Sequence, residues 1–129
     1  MTRPEPPPGR RTRGGRSRRE GRAAEWLAAA FLMAKGYRIL GFRLKAPFGE
    51  IDLLAAKGPV LAVVEVKRRA TLEAALTAVS PEQQARLRAA GQALARGRPS
   101  LSGLELRLDM VALAPRRFPR HVRGLTSRE

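Results

Sequence analysis

Read for apolar and polar positions, the middle of the chain holds two strand-like runs, Gly49-Glu50-Ile51-Asp52-Leu53-Leu54 and Val60-Leu61-Ala62-Val63-Val64-Glu65-Val66-Lys67. The second is apolar on both sides except at Glu65 and Lys67, the pattern of a strand covered on both faces. Gly58 and Pro59 between the runs signal a tight reversal, so they pair as a hairpin. A loop of Lys57 to Val60 sets Ala56 against Leu61, which puts Asp52 opposite Glu65 and Glu50 opposite Lys67. Side chains two apart on a strand share a face, so these charges converge on one patch of sheet.

Glu20 to Lys35 is rich in helix formers and stops at Gly36, a residue suited to the C′ position. Its main apolar stripe is Ala23, Leu27, Ala30, Phe31 and Ala34, but Ala28, Ala29 and Leu32 make the helix apolar nearly all round. Glu25 is the acid in its middle; it either pairs with Arg22 one turn back or leans over the carboxylate patch. Tyr37 to Lys45 reads as a strand with a basic outer face and completes an antiparallel meander of three. Leu72 to Val79 is a short helical piece. Ser80, Pro81 and Gln83 then fit the start of a helix running to about Ala95, closed by Gly97 and Pro99. On it Ala85, Leu87, Ala90 and Leu94 face the sheet, while Arg86, Arg96 and Arg98 stay wet. A helix between strands implies a crossover, so Leu104 to Leu113 lies parallel to a neighbour. Its Asp109 pairs structurally with Arg107. The fold class is therefore α/β, a mixed sheet of an antiparallel three-strand meander plus a crossover strand, with helices on the faces, over residues 20–113.

The ends differ from this core. Residues 1–19 combine four prolines with an Arg/Gly block and almost nothing apolar, which predicts a disordered basic arm. Residues 114–129 read as a similar basic tail. His121 within it has no acid or second histidine nearby in sequence and is assigned no role.

With 129 residues the chain is one domain by length, and 26 Lys and Arg against 11 Asp and Glu give a net charge of +15. An excess of this size points to a polyanion, most often nucleic acid, although a high-GC genome would also raise arginine content. Arg68 and Arg69, directly after Lys67, are natural phosphate contacts, with Arg43, Lys45 and Arg86 as further nucleic-acid contacts. The absence of cysteine excludes a disulfide framework or thiolate metal site and fits a reducing compartment. No apolar run of spanning length and no leader-like segment is present, so a cytoplasmic protein without a membrane partner is expected.

Opposed carboxylates repel unless a cation, a proton or a lysine relieves them. Mg²⁺ does this well, because it prefers carboxylate oxygens and keeps several waters. Asp52 and Glu65, with the Val66 carbonyl, would hold the ion, and Lys67 would orient a water or stabilise developing charge. Phosphodiester hydrolysis matches this set, and needs neither His nor Cys. A phosphate-binding Gly-rich loop, a nucleophile elbow and zinc spacing are all missing.

The order Glu25, Gly49-Glu50-Ile51-Asp52 and Glu65-Val66-Lys67 resembles the PD-(D/E)XK nuclease superfamily, and more closely its YraN-type bacterial branch, related to archaeal Holliday-junction resolvases. The similarity spans about residues 20–113, including Gly36 to Leu40, the basic helix around Gln84 to Leu87 and the strand around Leu106 to Leu113. It implies a restriction-endonuclease-like core in which Asp52, Glu65 and Lys67 form the catalytic site. Glu25 is then an added carboxylate and metal ligand, the cofactor is Mg²⁺ or Mn²⁺, and the substrate is DNA, plausibly branched or structured. Resolvase relatives act as dimers because a junction has two symmetric scissile sites, so a homodimer is also implied, but no stretch marks its surface. The alternative is a DNA-binding module that keeps the fold without cutting.

Overall fold

The computed structural model describes residues 8–125, with side chains from Gly21 onward. Helix α1 spans Pro8–Ala34, then come strands β1 (Arg38–Ala46), β2 (Gly49–Lys57) and β3 (Val60–Arg68). Helices α2 (Leu72–Leu76) and α3 (Pro81–Arg96) and a 3₁₀ turn (Pro99–Leu101) lead to β4 (Glu105–Leu113) and β5 (Arg120–Val122). The five strands form one sheet in chain order, with β3 and β4 parallel and the other pairs antiparallel. This is the mixed α/β architecture expected, extended by one strand.

The hairpin register is as the apolar alternation requires: Ala56 pairs with Leu61, and Lys57 with Val60. Gly58 takes φ +56 ahead of Pro59, a conformation that suits glycine at the first central position of a primed turn. The ladder is continuous only up to Leu53↔Val64. The expected Glu50 to Lys67 pairing therefore does not form, and Glu50 instead stands opposite Lys45 on β1.

Each sheet face has its own core. On one, Ala24, Ala28, Ala29 and Leu32 of α1 pack on Leu53, Ala55, Ala62, Val64 and Val111. On the other, Leu87 and Ala90 of α3 pack on Ile51, Leu54, Leu61, Val63, Leu108 and Met110. The main apolar stripe read from the sequence is turned outward: Leu27 is 53% exposed, and Ala23, Ala30 and Ala34 are exposed with it. A helix that is apolar all round offers several possible faces, and the one lined by alanines lets its backbone lie closest to the strands. On α3, Leu87 and Ala90 are buried as expected, but Gln84 is buried in place of Ala85, which is exposed.

Gly91 marks the closest approach of α3 to the sheet, since a Cβ there would lie 2.6 Å from Val63 Cγ2. Valine is stiff at χ1 and buried, so it cannot swing clear. Gly91→Ala is expected to lower stability by about 1–3 kcal/mol despite alanine's better helix propensity, read by urea unfolding.

Two expectations at the ends meet a different structure. Helical backbone extends back to Pro8, a residue tolerated in a first turn because its missing N–H is no loss there, so part of the stretch read as a disordered arm is helix. Residues 1–7 lie outside the described residues. The tail from 114 was expected to lack structure, yet Arg120–Val122 adds β5 to β4, pairing Val111 with His121. The cause is Asp109, which is fully buried and draws partners from the tail: His121 Nε2 lies 2.8 Å from Oδ2 and the Gly124 N–H 3.0 Å from Oδ1. His121 thus has an acid partner that sequence proximity could not reveal. Arg107 and Asp109 do pair, through Nε to Oδ1 at 2.8 Å and Nη2 to Oδ2 at 2.7 Å. Residues 126–129 of the tail lie outside the described residues.

Candidate active site

Beyond Leu53↔Val64 the two central strands part, and the gap is bridged by a side chain. Asp52 Oδ2 accepts the Val66 N–H at 3.0 Å, taking the place of a ladder bond. Asp52 and Glu65 line one pocket even though they are not a ladder pair. Glu65 is only 4% exposed; its Oε2 takes the Lys67 ammonium at 3.0 Å and the Gln83 amide at 3.2 Å.

Burial, the adjacent Asp52 charge and a carboxyl–carboxyl hydrogen bond with Asp52 together push the Glu65 pKa from the ordinary 4.5 up to about 7, against the opposing pull of Lys67. A folded-state pKa raised in this way means that folding favours the protonated form. Its stabilisation is complete below pH 4.5 and lost as pH rises through about 7. In chelator, Tm is expected to fall across that window, and Glu65→Gln is expected to flatten the fall.

The pair lies in an open pocket of about 670 Å³ lined also by Glu25, Lys67, Arg68, Arg69 and Pro115. It sits where β3 and β4 both reach their carboxyl ends, the usual position of a ligand crevice in sheets with parallel strands. The crossover explains Gln83: α3 runs back against the strands, so its first turn returns to the same end. Ser80 caps that turn by accepting the Gln83 N–H at 3.1 Å. Gln83 is the site contact that reading the chain in order missed; the signal was its position at N3 of a crossover helix starting above the Glu65 strand.

Glu25 enters the pocket from α1, but its Oε1 is paired with Arg43 Nε at 2.8 Å. Burial raises its pKa most, the Arg43 contact lowers it, and the Asp52 and Glu50 charges add to the rise. Arg43 takes φ +50, a left-handed backbone that non-glycine residues seldom adopt. Among the expected phosphate contacts, Arg68 and Arg69 line the pocket, Arg43 is turned to Glu25, and Lys45 and Arg86 are exposed outside it. Val66 also lines the pocket.

Among the described residues no three His, Cys, Asp or Glu side chains are grouped to hold a metal. The donor set still suits Mg²⁺, which commonly takes one or two carboxylates and completes its octahedron with water and substrate phosphate. Burial and the adjacent Asp52 charge hold the Glu65 carboxyl toward its protonated form, a cost that a divalent cation between the two acids would relieve.

The fold and this pocket define an α/β protein with a five-stranded mixed sheet and a charged crevice where its parallel strands end. Residues 24–113 match the uncharacterised protein family UPF0102, and the chain belongs to it. It is 60% identical over 113 residues to a UPF0102 protein of Caulobacter vibrioides (strain NA1000 / CB15N), covering 88% of this chain and 90% of the relative. A UPF0102 protein of Chelativorans sp. (strain BNC1) is 49% identical over 110 residues, covering 85% of this chain and 89% of the relative. The family agrees with the YraN-type resemblance. Among the described residues no helix is long and apolar enough to cross a membrane.

Proposed function

We propose that this protein is a metal-dependent endonuclease of the PD-(D/E)XK type that hydrolyses phosphodiester bonds in DNA, with branched or structured DNA as its substrate. The observation that carries this reading is the meeting of Asp52 and Glu65 in an open crevice rimmed by Lys67, Arg68 and Arg69. Acids crowded enough to retain a proton, beside cations that would attract phosphate, make an expensive arrangement for a sheet that needs only to be stable.

Asp52, Glu65 and the Val66 carbonyl would hold Mg²⁺ or Mn²⁺, with Glu25 joining if it releases Arg43. When bound, the metal would supply Lewis-acid polarisation of the phosphate and a lowered water pKa. The protein's own groups do the remaining work. The Val66 N–H fixes the rotamer of Asp52, and Gln83 and Lys67 fix Glu65. The Lys67 ammonium, its side chain 18% exposed, offsets charge building on the phosphate, and Arg68 and Arg69 hold the flanking backbone.

The test is incubation of the purified chain with Mg²⁺ or Mn²⁺ and a panel of duplex, flap, single-stranded and four-way DNA. Cleavage of at least one member is expected, lost in chelator while binding persists. No cleavage of any member, with no metal heat by calorimetry, would instead favour the non-cutting DNA-binding module. The ion pairs that already occupy Glu25 and Glu65 are the feature consistent with that second reading.

A further inference from the structure

A second group of cations gathers at the opposite end of α1 and β2 from the acidic crevice. Lys35 follows α1, Lys57 ends β2, Arg107 lies on β4 and Arg123 follows β5. Their charges act on Lys35: its ammonium is pushed below its ordinary value first by burial and then by Arg123 and Lys57, against an opposing pull from Asp109, with Arg107 adding a smaller push.

The holding contacts are neutral. Lys57 Nζ donates to the Lys35 carbonyl at 2.6 Å and stands 5.4 Å from the centre of the Tyr37 ring. Lys35 Nζ lies 2.6 Å from His121 Nδ1 and 5.5 Å from the Phe31 ring centre. An ammonium donates, so His121 carries its proton on Nε2, toward Asp109. Asp109 has no capacity left: Oδ1 takes Arg107 Nε and the Gly124 N–H, while Oδ2 takes Arg107 Nη2 and His121. Its hydrogen bonds go to Arg107, His121 and Gly124, and it reaches Lys35 only through its charge, which partly offsets the repulsion there. Glu105 shares this sheet face two strands from Lys57, but among the described residues no carboxylate lies within salt-bridge distance of Lys35, Lys57 or Arg123.

Lys35 and Lys57, exposed and held by an imidazole, a carbonyl and two aromatic faces, stand with the exposed Arg123 two residues beyond His121 as a cationic patch suited to an outside anion. We propose that Lys35, Lys57 and Arg123 form a second polyanion site, one that grips the phosphodiester backbone of a nucleic acid away from the acidic crevice. This rests on the nucleic-acid part of the function proposed above and not on cleavage. Glu25 and Ala34 are separated by about 14 Å along α1, and Asp52 and Lys57 by about 17 Å along β2. A strand touching both ends would span roughly four or five phosphates.

The test is binding of a labelled 20-bp duplex by the full chain in chelator, where nothing is cut, over a series of salt concentrations. Each phosphate contact contributes about 0.9 to the slope of log K against log salt. The triple variant Lys35→Gln, Lys57→Gln, Arg123→Gln is expected to reduce the slope by about 2.7, and Arg123→Gln alone by about 0.9. Arg123→Gln disturbs none of the contacts described above, so its unchanged melting curve separates lost charge from lost fold. An unchanged slope in folded variants overturns the site, as does equal binding of anionic phosphatidylserine vesicles that compete with the duplex. No duplex binding by the parent chain overturns the site and the nucleic-acid reading together. The expected slope loss in chelator, together with no cleavage of the DNA panel in Mg²⁺ or Mn²⁺, supports the site while removing the nuclease.

Discussion

Lys67→Ala is expected to reduce single-turnover DNA cleavage by about 10²–10⁴-fold while leaving the fold intact. Lys67 is placed by its 3.0 Å contact with Glu65 Oε2, so its ammonium stands beside that acid in the crevice that Asp52 also lines. Removing it takes away a charge that matters most as the phosphate gains charge, and the loss should fall on kcat more than on DNA affinity. The fold is spared because Glu65 keeps Gln83 and can retain its proton once the lysine is gone. Lys67→Arg is not a rescue, since a planar fork does not replace a compact ammonium within a contact of this length. Asp52→Asn should lose cleavage too, and metal heat by calorimetry with it, whereas Lys67→Ala should retain metal binding. Cleavage by Lys67→Ala within threefold of the parent would remove this lysine from the chemistry.

The parts of the structure legible in the sequence are those fixed by local pattern. Alternation from Val60 to Val64, with Gly58 and Pro59 before it, sets the hairpin register, and the Ser80 cap sets the start of α3. Two features were hidden for different physical reasons. The face of α1 could not be read because an all-apolar helix has no unique buried side; close backbone approach at Ala24, Ala28 and Ala29 decided it. Strand β5 could not be read because its residues are those of a loop, and it forms for the sake of a contact between positions 109 and 121. The candidate site falls between these cases. Asp52 and Glu65 meet as the register implies, but through a side chain capping a broken ladder, and that break is what opens the crevice.

Asp109→Ala is expected to be the most destabilising single change on the α1 side of the sheet. The carboxylate is fully buried and accepts four hydrogen bonds, from Arg107 twice, His121 and the Gly124 N–H. Alanine leaves the Arg107 guanidinium without its counter-charge and the His121 ring, its side chain 1% exposed, without its acceptor. Breaking one side of a buried ion pair costs about 3–5 kcal/mol, and for a domain of this size Tm should fall by roughly 12 °C or more. Hydrogen exchange should show β5 released first, because only three pairs join it to β4. The pH dependence supplies an independent check. Burial alone would raise the Asp109 pKa, but the hydrogen bonds from His121, Arg107 and Gly124 outweigh it and hold the group below its ordinary 3.8. A depressed folded-state pKa gives stability that is present above the ordinary value and lost as pH falls through the folded one. This is opposite in sign to Glu65, whose stabilisation disappears as pH rises toward about 7. The chelated protein should therefore be most stable at mildly acidic pH, with Asp109→Ala removing the loss on the acid side and Glu65→Gln the loss on the neutral side. If Asp109→Ala melts within about 1 kcal/mol of the parent, the buried network is not what holds β5 in the sheet.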